Sequence, residues 1–291
     1  MLFFVMITDV PSSLALFKMS GDLSRREFGK CALSSLAGVA FLQTIVSGCG
    51  AAGPTLERVS SAVAPKAAEV VRHWSMGLVE MASDLKSGRI TALDWQDQVE
   101  RLFGRIELQE LLGFIDFERL KVQLELPDAG VSTRGVAFPR IEGIPENTSF
   151  VKKIFGMRKG RAIVPHGHSN MASAHLILSG EMMLRHYEKI GDDGDRLIVR
   201  PSIEKVVTPG DSSSISDERD NVHWFVAESD QAYTFDVIVL DLNEAQYEIH
   251  NLDMNSASKT GNGDLSVPKI DVRTALRKYG KQHHEVGSGR E

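Results

Sequence analysis

Cysteine is nearly missing from this chain. Only Cys31 and Cys49 occur among 291 residues, so no intramolecular disulfide staples whatever folds after residue 49. Clustered basic residues are missing too. Lys and Arg number 33 against 39 Asp and Glu, a net charge of −6, and no basic stripe is present to neutralise phosphates. Nucleic acid is therefore excluded as the main partner. No apolar run makes a good membrane span of about 20 residues; ALSSLAGVAFLQTIV, at 32–46, is short and rich in small residues. No internal repeat is evident. What remains is ordinary for a globular protein, 42% apolar and 25% charged, with length for one large domain or two small ones.

The first fifty residues read as an address. SRREFGK at 24–30 places paired arginines before the apolar stretch, which ends in Val46-Ser47-Gly48-Cys49. This resembles a bacterial twin-arginine signal peptide joined to a lipoprotein cleavage box, with Cys49 as the lipidated residue. An ordinary N-terminal membrane anchor is the alternative. The resemblance implies removal of 1–48 and a lipid anchor that holds the chain to a membrane without spanning it, on the periplasmic or cell-surface side; the segment 1–18, with Asp9 and Pro11, reads as dispensable, which makes Met19 the alternative start. Residues 1–48 hold four basic and three acidic side chains, so the mature chain keeps 29 and 36, a net of −7. The twin-arginine route resembles the one used for proteins exported already folded, often with a cofactor inside.

Residues 49–64 read as a tether, and 65–120 as a helical region. Val70, Val71, Trp74, Leu78 and Met81 recur at three- and four-residue spacing. Thr91 and Asp94 resemble a helix cap for a second helix ending near Gly104, and Leu108, Leu111, Leu112 and Ile115 make a third apolar stretch. This periodicity predicts packing stripes, with no chemistry in them. From 121 the period changes to two, Val122, Leu124 and Leu126 alternating with polar residues, which predicts a strand. Strand-like segments follow at 149–157, 161–168, 173–187, 196–200, 204–207, 222–228 and 232–242. Many short strands with turn signals between them predict a sandwich or barrel over 121–250. The rest, 251–291, reads as a tail with a short helix at 270–282.

VPHGHSNMASAHLILSGE, 164–181, gathers three of the nine histidines. His166 and His168 are two apart on a predicted strand, so both imidazoles face one way and can converge on a metal. A third donor must come from elsewhere, and His223 opens a later strand. His175 shares a face with Ser173. The bland reading of such a pair is a set of surface histidines; for His175 it is a pocket wall held by a backbone carbonyl.

Gly160, His166, His168 and Gly180, followed by Pro209-Gly210 and His223, match the two motifs of the cupin superfamily over roughly 150–242. The resemblance implies a mainly β fold, a double-stranded antiparallel β-barrel of jelly-roll type with a metal in its mouth, here behind a helical N-terminal region. Where most cupins carry a fourth ligand, Glu, this chain has Ser173. A three-histidine cupin without that Glu resembles the thiol dioxygenases of the cysteamine dioxygenase and plant cysteine oxidase type. Eleven residues separate His168 from Gly180, with Met171 among them, and Asn221 precedes His223 by two. By the same resemblance Asp236, in AYTFDVI, orients His223. The family's Pro-Pro-Tyr is replaced by Val239-Leu240-Asp241-Leu242, which leaves substrate and reaction open.

The expected site is therefore His166, His168 and His223 on a metal, with Asp236, Ser173 and His175 near substrate or water. Three neutral imidazoles with an open position suit Fe(II) above other divalent ions, Mn, Ni, Cu or Zn. The expected function is a metal-dependent oxygenase, a non-haem iron dioxygenase, acting on a small molecule, a thiol by resemblance, at a membrane surface. The alternative is a cupin lipoprotein that binds a metal or ligand without turnover. An isomerase or hydrolase would need a general base that no residue singles out.

Overall fold

The computed structural model describes residues 65–138 and 148–281. The leader, Cys49, the tether and the last ten residues lie outside the described residues. Among the described residues no helix is long and apolar enough to cross a membrane.

Four helices come first: α1 (Pro65–Lys86), α2 (Ala92–Phe103), α3 (Leu108–Phe114) and α4 (Phe117–Val122). The predicted cap is present. Thr91 accepts from the Asp94 N–H at 3.0 Å, and the Asp94 carboxylate accepts the Thr91 N–H at 3.3 Å. This reciprocal box satisfies two donors that a helix start leaves free. In α1, Val71, Trp74, Leu78, Ala82 and Leu85 form the buried stripe.

The strand predicted over 121–126 is not there. Residues up to 122 finish α4, and Gln123 closes it with backbone bonds to Arg119 and Leu120. Only Leu124 and Leu126 keep the alternation, buried on either side of an exposed Glu125 in a segment that pairs with no strand among the described residues. Val122, which the alternation would bury, is 83% exposed.

The strands are β1 (Ser132–Gly135), β2 (Val151–Arg158), β3 (Ala162–Ser169), β4 (Met171–Ser179), β5 (Met182–Asp193), β6 (Arg196–Val207), β7 (Ser212–Ile215), β8 (Val222–Ala227), β9 (Gln231–Leu240), β10 (Glu248–Leu252), β11 (Ser258–Lys259) and β12 (Leu265–Ile270). They form two antiparallel sheets. One runs β1-β2-β9-β4-β7, the other β10-β3-β8-β5-β6-β12-β11, and β10 also pairs with β12. Within these, the orders 2-9-4-7 and 3-8-5-6 pass the chain from sheet to sheet at every connection except the β5–β6 hairpin. That is a jelly roll. The fold is thus mainly β, a double-stranded antiparallel barrel behind a helical N-terminal region, as expected.

Three details differ from the expected strands. The segment 173–187 is two strands that part at Gly180, which adopts φ +75° and whose Cβ, if it had one, would stand 2.3 Å from the Gln231 carbonyl oxygen. The segments 196–200 and 204–207 are one strand, because Pro201 falls where a bulge shifts the register. Beyond 250, where a tail was expected, β12 pairs with β6, and a last helix, α5 (Val272–Tyr279), packs Ala275 and Tyr279 against Trp224.

Side-chain alternation divides the five-stranded sheet. Ala172, Ala174, Leu176 and Leu178 of β4 and Tyr233, Phe235, Val237 and Val239 of β9 join the helices in one apolar core. Trp74 packs against Phe103 and Phe235, each ring 5.9 Å away. The intervening residues, Ser173, His175, Ile177, Thr234 and Asp236, turn the other way, into the barrel. Ile163, Ile177, Met182, Leu184 and Phe225 fill its apolar end.

Candidate metal centre

A bulge in β3 decides which face the first two histidines occupy. Ile163 pairs with Phe225 and His166 with His223, so β3 carries one residue more than β8 between those pairs. This β-bulge spans Val164-Pro165, where the missing proline N–H costs no ladder bond. Without the extra residue, the parity set by Ile163 would turn His166 and His168 outward. With it, both join His223 inside.

The three imidazoles converge. One nitrogen from each of His166, His168 and His223 lies within 4.8 Å of the other two, and ring centroids are 4.3 to 5.1 Å apart. His166 donates its Nδ1–H to the Val164 carbonyl at 2.7 Å, which leaves its Nε2 for the cluster. Neither nitrogen of His168, nor Nδ1 of His223, has a hydrogen-bond partner. His168 and His223 are 2% and 3% exposed, so these are unmade bonds at a buried site, the condition that a bound ion relieves.

Electrostatics favour the neutral imidazoles that a metal requires. Burial lowers His166 to about 4, partly offset by its bond to Val164. Burial, together with the neighbouring histidines, holds His168 and His223 well below the ordinary range. The donor set, orphaned nitrogens and protonation state all fit a divalent metal.

His175 sits apart from this set. Its Nε2 is 3.2 Å from Ser173 Oγ and its Nδ1 3.3 Å from Ser213 Oγ, so both nitrogens are engaged by hydroxyls. Its ring is 4.9 Å from that of His223, which makes it a wall of the site. Ser173 faces the interior beside it.

Asp236 is buried opposite His175 in the β4–β9 register. Its carboxylate accepts from Thr234 Oγ1 at 2.6 Å and lies 3.8 Å from His175 Nε2. The expected role of orienting His223 does not match this geometry, because the hydrogen bond goes to Thr234 and the adjacent imidazole is His175. Burial raises the Asp236 carboxyl to about 8, against the lowering pull of Thr234 and Lys153.

Sequence reading missed three interior groups. Lys153 stands opposite Asp236 on β2, and burial lowers its ammonium while Asp236 raises it. Ser213 holds His175. His186 stands opposite His223 on β5. The period-two pattern of β2 and β5 carried the signal for Lys153 and His186, but only once strand partners are known does it say which face is inside.

No protein-family profile matches this chain, and no curated protein matches its sequence. Solved structures do resemble part of it. Procruciferin, an 11S globulin of Brassica napus, is 13% identical, covering 44% of this chain and 28% of the globulin, at a TM-score of 0.30. A cupin superfamily protein of Desulfitobacterium hafniense is 14% identical, covers 42% of this chain and 88% of its own, at 0.28. A double-stranded β-helix protein of Klebsiella pneumoniae is 13% identical, with 45% and 92% covered, at 0.31. The chain thus spans about a quarter of the globulin and most of the two bacterial proteins. At such TM-scores none of these likenesses bears on activity.

Proposed function

We propose that this chain is a metal-dependent oxygenase that acts on a small molecule, with His166, His168 and His223 holding the metal. The observation that carries the reading is the convergence of the three imidazoles, with both nitrogens of His168 and Nδ1 of His223 buried and without partners. Iron(II) is the proposed metal, since three neutral imidazoles leave its full charge to attract an anionic co-ligand such as a thiolate or carboxylate. Such a metal supplies Lewis-acid and redox activation of molecules bound at its free positions. The chain's own residues supply the surroundings. Ser173, His175 and Ser213 offer hydroxyl and imidazole contacts to substrate or water, and Asp236 with Lys153 sets the charge on the same wall. A thiol substrate is proposed from the motif resemblance. So is the location, a periplasmic or cell-surface membrane face reached through a lipid on Cys49.

The test is elemental mass spectrometry on protein purified without oxygen or chelator. About one iron per chain, followed by oxygen consumption with a panel of thiols, supports the reading. Zinc weakens it. A folded chain with no metal overturns it in favour of a non-catalytic ligand-binding barrel.

A further inference from the structure

The most exceptional group inside the barrel outside the three converging histidines is His186. Its side chain is 0% exposed, and no hydrogen bond of ordinary geometry reaches either ring nitrogen. In the strand registers His166 lies opposite His223 and His223 opposite His186. Three neighbouring strands therefore set three imidazoles in one row, and His186 is the member that stands back, its ring 6.2 Å from that of His223.

A carboxylate approaches one of its nitrogens. Asp220 Oδ2 is 3.5 Å from His186 Nδ1, at the outer limit of hydrogen-bond distance. Asp220 is itself held in place: Ser202 Oγ donates to its Oδ1 at 2.5 Å, and its own N–H donates to Glu188 Oε2 at 3.0 Å. Its backbone is left-handed, φ +54°, a conformation rare outside glycine. Ser202 is the extra residue of a bulge, since His186 pairs with Ile203 and Tyr187 with Pro201. Bulges of this kind re-aim side chains beside functional sites. Burial raises the Asp220 carboxyl, but the imidazole of His186 and the hydroxyl of Ser202 more than offset this, and the group stays below the ordinary carboxylate range.

An ionised carboxylate only accepts, so the proton of a neutral His186 belongs on Nδ1 and Nε2 is left as an acceptor. We propose that His186, fixed in this tautomer by Asp220, presents Nε2 as a hydrogen-bond acceptor beside the three-histidine centre. The centre then favours ligands that bring a donor, such as water, a thiol, an amine or a hydroxyl, over aprotic anions. This inference rests on the reading that the three histidines hold a metal.

The test uses the full chain loaded with Co(II) and titrated with azide, followed by visible absorption. Azide must displace solvent from the metal yet has no proton to give Nε2. His186→Leu is expected to keep one cobalt per chain and to bind azide about five- to tenfold more tightly, the size of one ordinary hydrogen bond. A purely structural loss would weaken azide or leave it unmoved. His186→Gln, whose amide carbonyl can accept, is expected to return towards the wild-type affinity. Asp220→Asn tolerates the left-handed backbone and can donate to Nδ1, which makes Nε2 a donor, so azide is expected to tighten there as well. Unchanged or weaker azide binding in His186→Leu with cobalt intact overturns the proposal. Loss of cobalt from a folded His186→Leu chain also overturns it, by making His186 a ligand. Wild-type protein that takes up no cobalt fails at the earlier step, the metal reading itself.

Discussion

Asn221 grips the backbone of His168 from both sides. Its Oδ1 accepts the His168 N–H at 3.2 Å and its Nδ2 donates to the His168 carbonyl at 3.0 Å. Gly167 makes room for this, because a Cβ there would lie 3.0 Å from Asn221 Oδ1 and 2.9 Å from a Val222 methyl. Asn221 is 1% exposed and also bonds the Ser216 carbonyl. Asn221→Ala would leave buried backbone groups of His168 unpaired, at about 1–3 kcal/mol for each. The expected result is a Tm lower by several degrees and metal affinity about 10- to 100-fold weaker, the usual toll for a group that supports a ligand. Calorimetry and a metal titration check both; full affinity in the variant would show that this grip does not set the site.

His223 is the hub of the cluster, with His166, His168 and His175 all within 5.1 Å between ring centroids. His223→Ala is expected to lose most of the bound metal while circular dichroism still reports a folded barrel. Stoichiometric metal in that variant would remove His223 from the site.

The buried titratable pair His175 and Asp236 predicts a stability optimum. Burial, aided by His186 and His166, lowers His175 from 6.5 to about 3. The unfolded chain therefore takes up the proton first on acidification, and stability is lost as pH falls below about 6.5 towards 3. Burial raises Asp236 from 3.8 to about 8. There the folded chain keeps a proton that the unfolded chain has released, so stability is lost as pH rises from about 4 to 8. With the lowered His166 adding to the acid limb, metal-free protein should be most stable near pH 6–7. Denaturant melts across pH should show it, and Asp236→Asn should flatten the alkaline limb. An alkaline limb that persists in that variant would assign it to another group.

The helical region reaches the site through a polar seam. Ser216 donates to Gln96 Oε1 at 2.7 Å, and Arg219 donates to Asp97 at 2.7 Å. Both bonds tie α2 to the loop that leads into Asn221. Gln96 and Ser216 are each 0% exposed. Gln96→Leu strands the Ser216 hydroxyl and should cost about 1–3 kcal/mol. Hydrogen exchange should quicken at 216–221 before it does in the sheets; uniform exchange across the chain would deny the seam a local role.

The helices and most strands were legible because their apolar spacing is regular and their punctuation strong, as with Thr91, Asp94, Gly104 and Gly180. The converging triad was legible too, since His166 and His168 share a face whichever way the strand turns. Which way it turns was not, because that rests on the bulge at Val164-Pro165, a property of two strands rather than one. His186 and Lys153 were hidden for the same reason. Leu124 and Leu126 misled because an extended, half-buried segment alternates like a strand even when nothing pairs with it. The strand β12 escaped notice because Pro268 interrupts its pattern, LSVPKI, and breaks the alternation before Ile270.

The row His166, His223, His186 runs across three strands that no hairpin joins into one local unit, since β3, β8 and β5 meet only after most of the barrel has been threaded. A slip of one residue in β3 or β8 would point its imidazole at the outer face. With the triad holding an ion as proposed, ion uptake would work as a proofreading signal: only molecules whose distant strands have found their proper alignment would retain the ion, and the occupied fraction would count them.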